Sequence, residues 1–298
     1  MRTVGIAKTD YTHVYDGVAE AVEKAGGISN TPDRICIKVN LCDCRTPETG
    51  AVTDPRFLEA LLSYIQSSLK PDRIFVAESN ATSARPDLIM KWLGYEKILH
   101  RFKATWINGS RALTRPVAIM GRHFKQLDVP EVVLDSYLIS LAKLKTHMLT
   151  TISCGLKNIY GLLPYPRKVA FHPFLDDAIV DANLAMHPRF SIVDGIIAQV
   201  GTQGPAYGVP IRANVVVAGS DIVSVDAACC KLLGFSPFFV GHLRKAHCSG
   251  LGSIRPEIVG HALEGLTINP EYRRVEKIAF SVARMIRDAR SQSRASQM

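Results

Sequence analysis

Along this chain, short unbroken apolar runs trade places with stretches in which apolar residues return every three or four positions. The runs TVGIAKT, RICIKVNLC and RIFVAES read as strands. Between them, YDGVAEAVEKAGG reads as a helix whose closing Gly pair suits a C-terminal cap. In DPRFLEALLSYIQSSL, Asp54 is placed as the N-cap of a second helix, with Pro55 at its first position. A further helix opens with the proline after Arg85 and stops near Gly94. Short strands follow in ATWINGS, RPVAIMG and LDVPEVVLDSYLISLAKL. PRFSIVDGIIAQVG is a buried strand leading into the loop GTQGPAYGVP. RANVVVAGSD is another strand, and DIVSVDAACCKLLGF a helix. This alternation predicts an α/β fold: mostly parallel sheet flanked by helices. The expected organisation is one α/β body over 1–268, with a candidate lobe boundary near residue 120, and a C-terminal helical tail over 269–298.

The chain's 298 residues, 47% of them hydrophobic, suffice for one large core or two small ones. No run of 18 uncharged apolar residues is present, so no membrane span is expected. The N-terminus lacks a charged-then-apolar leader, which points to a cytoplasmic protein. Seven cysteines at irregular spacing contain neither a ferredoxin-type C-x-x-C-x-x-C run nor paired C-x-x-C knuckles. Most are expected to be reduced and buried. Cys42 and Cys44 in NLCDCR stand apart: two positions apart on a strand they share a face, so with His172 they are candidate metal ligands. The net charge of +9 favours anionic partners. Part of that excess lies in the tail, where EYRRVEKIAFSVARMIRDARSQSR predicts an amphipathic helix. Its apolar face (Ile278, Val282, Met285, Ile286) is expected to dock on the body, with the basic face in water. No zinc finger, RNA-recognition signature or helix-turn-helix pattern is present, so nucleic acid is not an expected partner. The sequence is compatible with a homo-oligomer.

Candidate chemistry gathers in three places. In KVNLCDCRTPETGAVTDP a strand ends before a capped helix, the junction at which open α/β sheets bind ligands. Asn40, Arg45, Thr46, Glu48 and Thr49 lie there and suit a carboxylate or phosphate. Glu78, at the end of the third strand, is either a general base or an ion-pair partner for a lysine. The third place is KLKTHMLTTISCGLKNIYGLLP. Lys143, Lys145 and His147 alternate there, which is strand spacing, so all three project to one face. Cations crowded on an apolar segment need an anion, and a desolvated lysine among them loses basicity and becomes a usable nucleophile or base. Lys157 and Asn158 sit beside glycines, and His172 follows before a proline. Two histidines and these lysines within one short span indicate acid–base chemistry. Asp194 could bind a metal, orient a histidine or pair with Lys145, and the glycines after it mark a candidate lid or anion nest. The glycine spacing matches neither a dinucleotide fingerprint nor a P-loop. No serine-hydrolase elbow or H-E-x-x-H helix is present either.

The blocks IKVNLC…PETGAVTDPRFLEAL, KLKTHMLTTISCGLKNIYGLLP, IVDGIIAQVG…GPAYGVP and VAGSDIVSVDAACCKLLGF resemble domain-of-unknown-function family 362 over about residues 1–265. Many members carry an appended ferredoxin module and an iron–sulfur label, which the missing cysteine run does not extend to this chain. Two positions depart from the family pattern. Val39 replaces the proline of IKPN, and Gln199 with Val200 stands where a glutamate is frequent. The order His147, Lys157, His172 is also similar to the catalytic domain of nickel-pincer lactate racemases. That resemblance implies a proton-moving His147, a Lys157 that holds a cofactor or substrate carbonyl, and a His172 that is a ligand or second base.

Three functional expectations follow. The first is an enzyme of isomerase, epimerase or lyase type acting on a small carboxylate- or phosphate-bearing anion. Its clamp would be Asn40, Arg45, Thr49 and Lys145, with His147, Lys157 and His172 as reacting groups. The second is a metal- or iron–sulfur-handling redox protein using Cys42, Cys44 and a histidine. The third is a non-catalytic anion or nucleotide binder. The cofactor is open: none, a metal ion, or a group held covalently on Lys157.

Overall fold

A computed structural model describes residues 2–28, 32–82, 84–201 and 206–263, together with Ile278, Ala279, Val282, Met285 and Ile286. Residues 202–205 of the candidate lid and most of the predicted tail lie outside the described residues. Strands β1 (Thr3–Lys8) and β2 (Arg34–Lys38) flank helix α1 (Val14–Lys24). Helix α2 (Pro55–Tyr64) follows, capped as expected by the Asp54 carboxylate, which accepts from Arg56 N, and it runs on through a wider turn over Ile65–Leu69. Strand β3 (Arg73–Glu78) leads to α3 (Pro86–Trp92), and Gly94 turns the chain into α4 (Tyr95–Arg101).

Next come β4 (Thr105–Asn108), the hairpin strands β5 (Thr114–Ala118) and β6 (Gln126–Pro130), and the single turn α5 (Glu131–Leu134). The long strand β7 (Tyr137–His147) folds back into β8 (Thr151–Ser153) and enters α6 (Gly155–Tyr160). Helix α7 (Leu175–Met186), strands β9 (Phe190–Val200) and β10 (Val209–Gly219), helices α8 (Ile222–Leu232) and α9 (Gly241–Cys248), and β11 (Glu257–Gly260) complete the order.

Among the described residues, nine strands join in one mixed sheet, in the order β11-β1-β10-β9-β7-β2-β3-β4, with β8 paired to β7. The run β9-β7-β2-β3-β4 is parallel throughout, whereas β10 lies antiparallel between β1 and β9. Strands from both sides of residue 120 enter this sheet, and the β5–β6 hairpin at that position stands off it.

Side chains alternate across each strand, so the sheet divides the apolar interior into two cores. Ile35, Ile37, Ile139 and Leu141 face the first, which is covered by α1, α2, α3 and α4. Cys36, Leu138, Ala142 and Val193 face the second, covered by α6, α7, α8 and α9. Both faces are therefore dry, and the parallel strands read as near-continuous apolar runs. The tail contradicts its sequence expectation. Its described residues are helical, but Ile278, Val282, Met285 and Ile286 are between 48% and 69% exposed, so that apolar face is not docked on the body. Among the described residues, no helix is long and apolar enough to cross a membrane.

Candidate functional site

Because β2, β3 and β7 are parallel, their carboxyl ends open on one edge of the sheet. A cavity of about 330 Å³ lies at that edge. It receives Lys38, Asn40 and Cys42 from the end of β2, Glu78 from β3, and Lys145 and His147 from β7. Lys157 and Asn158 of α6, and Lys168 with His172 on the 3-10 segment Lys168–Phe174, complete the lining.

Inside the wall, polar groups satisfy one another in a chain. The Lys38 ammonium pairs with Glu78 Oε1 at 2.7 Å and donates to Val39 O and to Asn158 Oδ1. Glu78 also accepts from Leu41 N and Ser79 N, both at 2.9 Å. Three donor contacts thus occupy its two oxygens. Of the two roles open to Glu78 in the sequence, the ion pair is the one realised, and its lysine is Lys38. Asn158 Nδ2 donates to Lys38 O, Ser140 Oγ and Leu141 O, which locks the amide across β2 and β7. Lys145 directs its three protons to Asn40 Oδ1 (3.0 Å), Ala51 O (2.7 Å) and Cys42 Sγ (3.2 Å). It is fully buried and works as a fixed charge. Lys168 donates to Asn80 O and Leu163 O.

The remaining polar groups are unlocked. Lys157 Nζ has no hydrogen-bond acceptor among the described residues and lies 5.6 Å from the centre of the Tyr160 ring. Burial, reinforced by the charge of Lys145, draws its ammonium down to about 8. Burial and the Lys157 charge hold His172 below the usual imidazole range, and burial and Lys157 hold His147 well below it. Both rings are therefore neutral at pH 7. Leu149 N–H donates to His147 Nδ1 at 3.1 Å, so in the neutral ring the proton sits on Nε2. His147 thus presents a donor, which revises the sequence expectation of a histidine that takes up a proton. Burial likewise lowers Lys38, and brings Lys168 to about 8.

Other predicted residues lie elsewhere. The loop after Cys42 curls into a short 3-10 turn over Pro47–Thr49, closed by Thr49 N to Thr46 O and Gly50 N to Pro47 O. Gly50 has φ +70°, and a Cβ there would stand 2.8 Å from Ala198 O, so this turn requires glycine. Gln199 Nε2 then ties the turn to β9 through Thr49 O at 3.0 Å, a structural use of this side chain. The outcome is that Thr46 and Glu48 are exposed and Arg45 stacks 4.0 Å from the Tyr207 ring centre. Arg45, Thr46, Glu48 and Thr49 do not line the cavity, and the expected clamp reduces to Asn40 and Lys145.

Lys143 is also absent from the cavity wall. It pairs with Asp194 at 2.9 Å, both groups fully buried, with Tyr11 OH 3.0 Å from the same carboxylate oxygen. Lys143 and Asp194 are register partners on β7 and β9, and that pairing slips before Lys145. Asp194 is therefore a mid-strand partner of Lys143, neither at a strand end nor paired with Lys145.

The candidate metal ligands do not converge. Regular β2 pairing ends at Lys38, so the shared-face rule does not reach Cys42 and Cys44. Cys42 lines the cavity and its Sγ accepts a hydrogen bond from Lys145, while Cys44 is exposed. Among the described residues, no three His, Cys, Asp or Glu side chains form a metal-holding group. The lysine-rich wall also opposes a bare cation. This donor set fits neither a metal ion nor a cluster.

Sequence reasoning missed Lys38 and Lys168. The first had a signal, a cation interrupting the buried run CIKVN; Lys168, in YPRKVAF, had none. It missed Asp226 as well, whose carboxylate on α8 accepts from Gly155 N and Leu156 N and so holds the start of α6.

The architecture defines a class: an α/β protein with a cation-lined pocket at the carboxyl edge of a parallel sheet. Within it, the chain belongs to the family described as "Domain of unknown function (DUF362)", whose profile matches residues 35–231. It is similar to the thylakoid-associated protein sll1697 of Synechocystis sp., at 26% identity over 251 residues, which are 80% of this chain and 75% of that protein. Among solved structures it is similar to the lactate racemase apoprotein from Thermoanaerobacterium thermosaccharolyticum, with a TM-score of 0.48 and 13% identity. The match covers 81% of this chain and 55% of the racemase, so the chain spans about half the length of that protein.

Proposed function

We propose that this protein is an acid–base enzyme of isomerase, epimerase or lyase type acting on a small anion that bears a carboxylate or phosphate. The observation that carries the reading is a charge imbalance. Four lysines and two histidines face one cavity whose sole carboxylate among the described residues, Glu78, is already consumed by Lys38. A desolvated cationic pocket stabilises negative charge developing next to a carbonyl, as proton abstraction from carbon requires. Lys145 and Lys168 supply anchored N–H donors. Neutral His172 accepts the proton, His147 Nε2–H donates to the oxygen that gains charge, and Lys157 completes the anion's surroundings. Asn40 and Asn158 orient the lysines. The cavity's volume, near the low end for ligand pockets, favours a substrate of a few carbon atoms. The free state of all seven cysteines supports a reducing, cytoplasmic setting.

The test is deuterium wash-in. Small 2-hydroxy and 2-oxo acids are incubated with the protein in D2O and followed by proton NMR. The expected result is loss of a carbon-bound proton signal with wild type, slowed about 100-fold or more in His172→Gln, the usual contribution of a general base. Wash-in by His172→Gln at the wild-type rate would remove the base assigned here. No exchange, and no binding of these anions by calorimetry, would remove the reading altogether.

A further inference from the structure

Three of the four cavity lysines have protein acceptors. Lys38 is held by Glu78, Val39 O and Asn158, Lys145 by Asn40, Ala51 O and Cys42, and Lys168 by two carbonyls. Lys157 differs in kind. It projects from α6, and among the described residues its Nζ meets no acceptor and no carboxylate. A lysine needed only for charge is best anchored, because an anchored ammonium keeps its place. A desolvated lysine left without a hydrogen-bond acceptor among other cations is free to move onto a ligand atom as a neutral, nucleophilic amine.

We propose that Lys157 is a covalent nucleophile, forming a Schiff base with the carbonyl carbon of a small 2-oxo acid held in this cavity. The inference rests on the acid–base reading above and deepens it by naming the substrate class and the atom attacked. Several features agree. The ammonium of Lys157, brought to about 8 by burial and Lys145, releases its proton within reach of neutral pH. His147 Nε2–H, unpaired among the described residues, is a donor for the carbonyl oxygen. Lys168 has two protein acceptors for three protons, leaving one for the carboxylate beside that carbonyl.

The step balances. The Nζ lone pair forms the C–N bond while the carbonyl pair moves to oxygen, which takes a proton. Nζ loses a proton to water, giving a carbinolamine. A second proton on the hydroxyl lets water leave as the nitrogen pair closes the C=N bond. Overall, one neutral amine, one carbonyl and one proton give one iminium and one water, with no oxidant or reductant. The iminium then withdraws electrons from the neighbouring C–H bond, whose proton His172 takes.

The full-length protein is incubated with pyruvate, and separately with 2-oxoglutarate, then reduced with sodium borohydride, digested and mapped by mass spectrometry. The expected result is a reduced adduct on Lys157 with at least one of the two acids, absent without borohydride and lost in Lys157→Arg, which keeps the charge. Circular dichroism checks that this variant folds. Binding of both acids is measured in parallel by calorimetry. An adduct spread over surface lysines overturns the proposal. Binding without any Lys157 adduct overturns the Schiff base and leaves the acid–base reading standing. Neither binding nor adduct overturns both.

Discussion

Lys157 and Lys145 are chemically identical side chains of opposite use, and only their acceptors distinguish them. Lys145 spends three protons on Asn40, Ala51 and Cys42, whereas Lys157 spends none on any described residue. Below about pH 8 Lys157 carries its proton and attracts an anion; above it the attraction goes. Affinity for a small carboxylate such as pyruvate is therefore expected to fall as pH rises from 6.5 to 9.5. At pH 6.5, Lys157→Met should bind at least about tenfold more weakly, since a hydrogen bond to a charged group contributes roughly 1.5–3 kcal/mol. Calorimetry at the two pH values measures both effects, and the variant is expected to keep a smaller fall, because Lys168, also brought to about 8, loses its proton over the same range. The alternation of Lys143, Lys145 and His147 was legible in the sequence. The division of labour was not, because Asp194 and Asn40 lie 51 and 105 residues from their lysines.

At the scale of elements, α6 delivers Lys157 and Asn158, yet it has only six residues and cannot hold its shape by propensity. Asp226 on α8 supplies what is missing by accepting two of its first backbone N–H groups at 2.7 and 2.9 Å. Gly155 makes this approach possible, since a Cβ there would stand 2.9 Å from the carboxylate. Burial pushes Asp226 up to about 7. A carboxyl raised in this way adds stability that is complete below the unfolded value near 4 and is lost as pH rises through about 7. Asp226→Asn is expected to flatten the fall in stability between pH 4.5 and 7.5, read from urea melts at each pH. Asp226→Ala leaves two buried donors unmet and should cost about 2 kcal/mol or more. The strands and most helices of this framework were legible as periodicity, as was the Asp54 cap. Asp226, in a run of small helix residues, gave no sign of serving a different helix.

For the whole molecule, charge and topology reinforce each other. The chain carries a net +9, and the parallel strands aim cations into one recess of low dielectric, which focuses the field. Association of a small dianion such as 2-oxoglutarate is expected to slow as salt rises from about 0.05 to 0.5 M, with less change in dissociation, because the screening length shrinks from above to below 10 Å. Stopped-flow measurements across that range provide the check, and an association rate indifferent to salt would contradict electrostatic steering. The cavity walls come from distant parts of the chain, Lys38 at one end and His172 at the other.

The periods of apolar residues along the chain sufficed for the class of fold, the order of its elements and the burial of strands on both faces. They also sufficed to single out the stretch from Lys143 to Pro164, because cations in a dry run conflict with local preference wherever they occur. Tertiary structure alone decided which cations are spent and which are available. That choice depends on acceptors brought in from the end of β2, from β3, β9 and α6, and on a slip in strand pairing before Lys145. It also turned Arg45 away, since the Gly50 turn packs against β9 and points the guanidinium at Tyr207. Hydrogen bonding is short-ranged in space and indifferent to separation in sequence, so no reading of neighbours along the chain could have drawn that map.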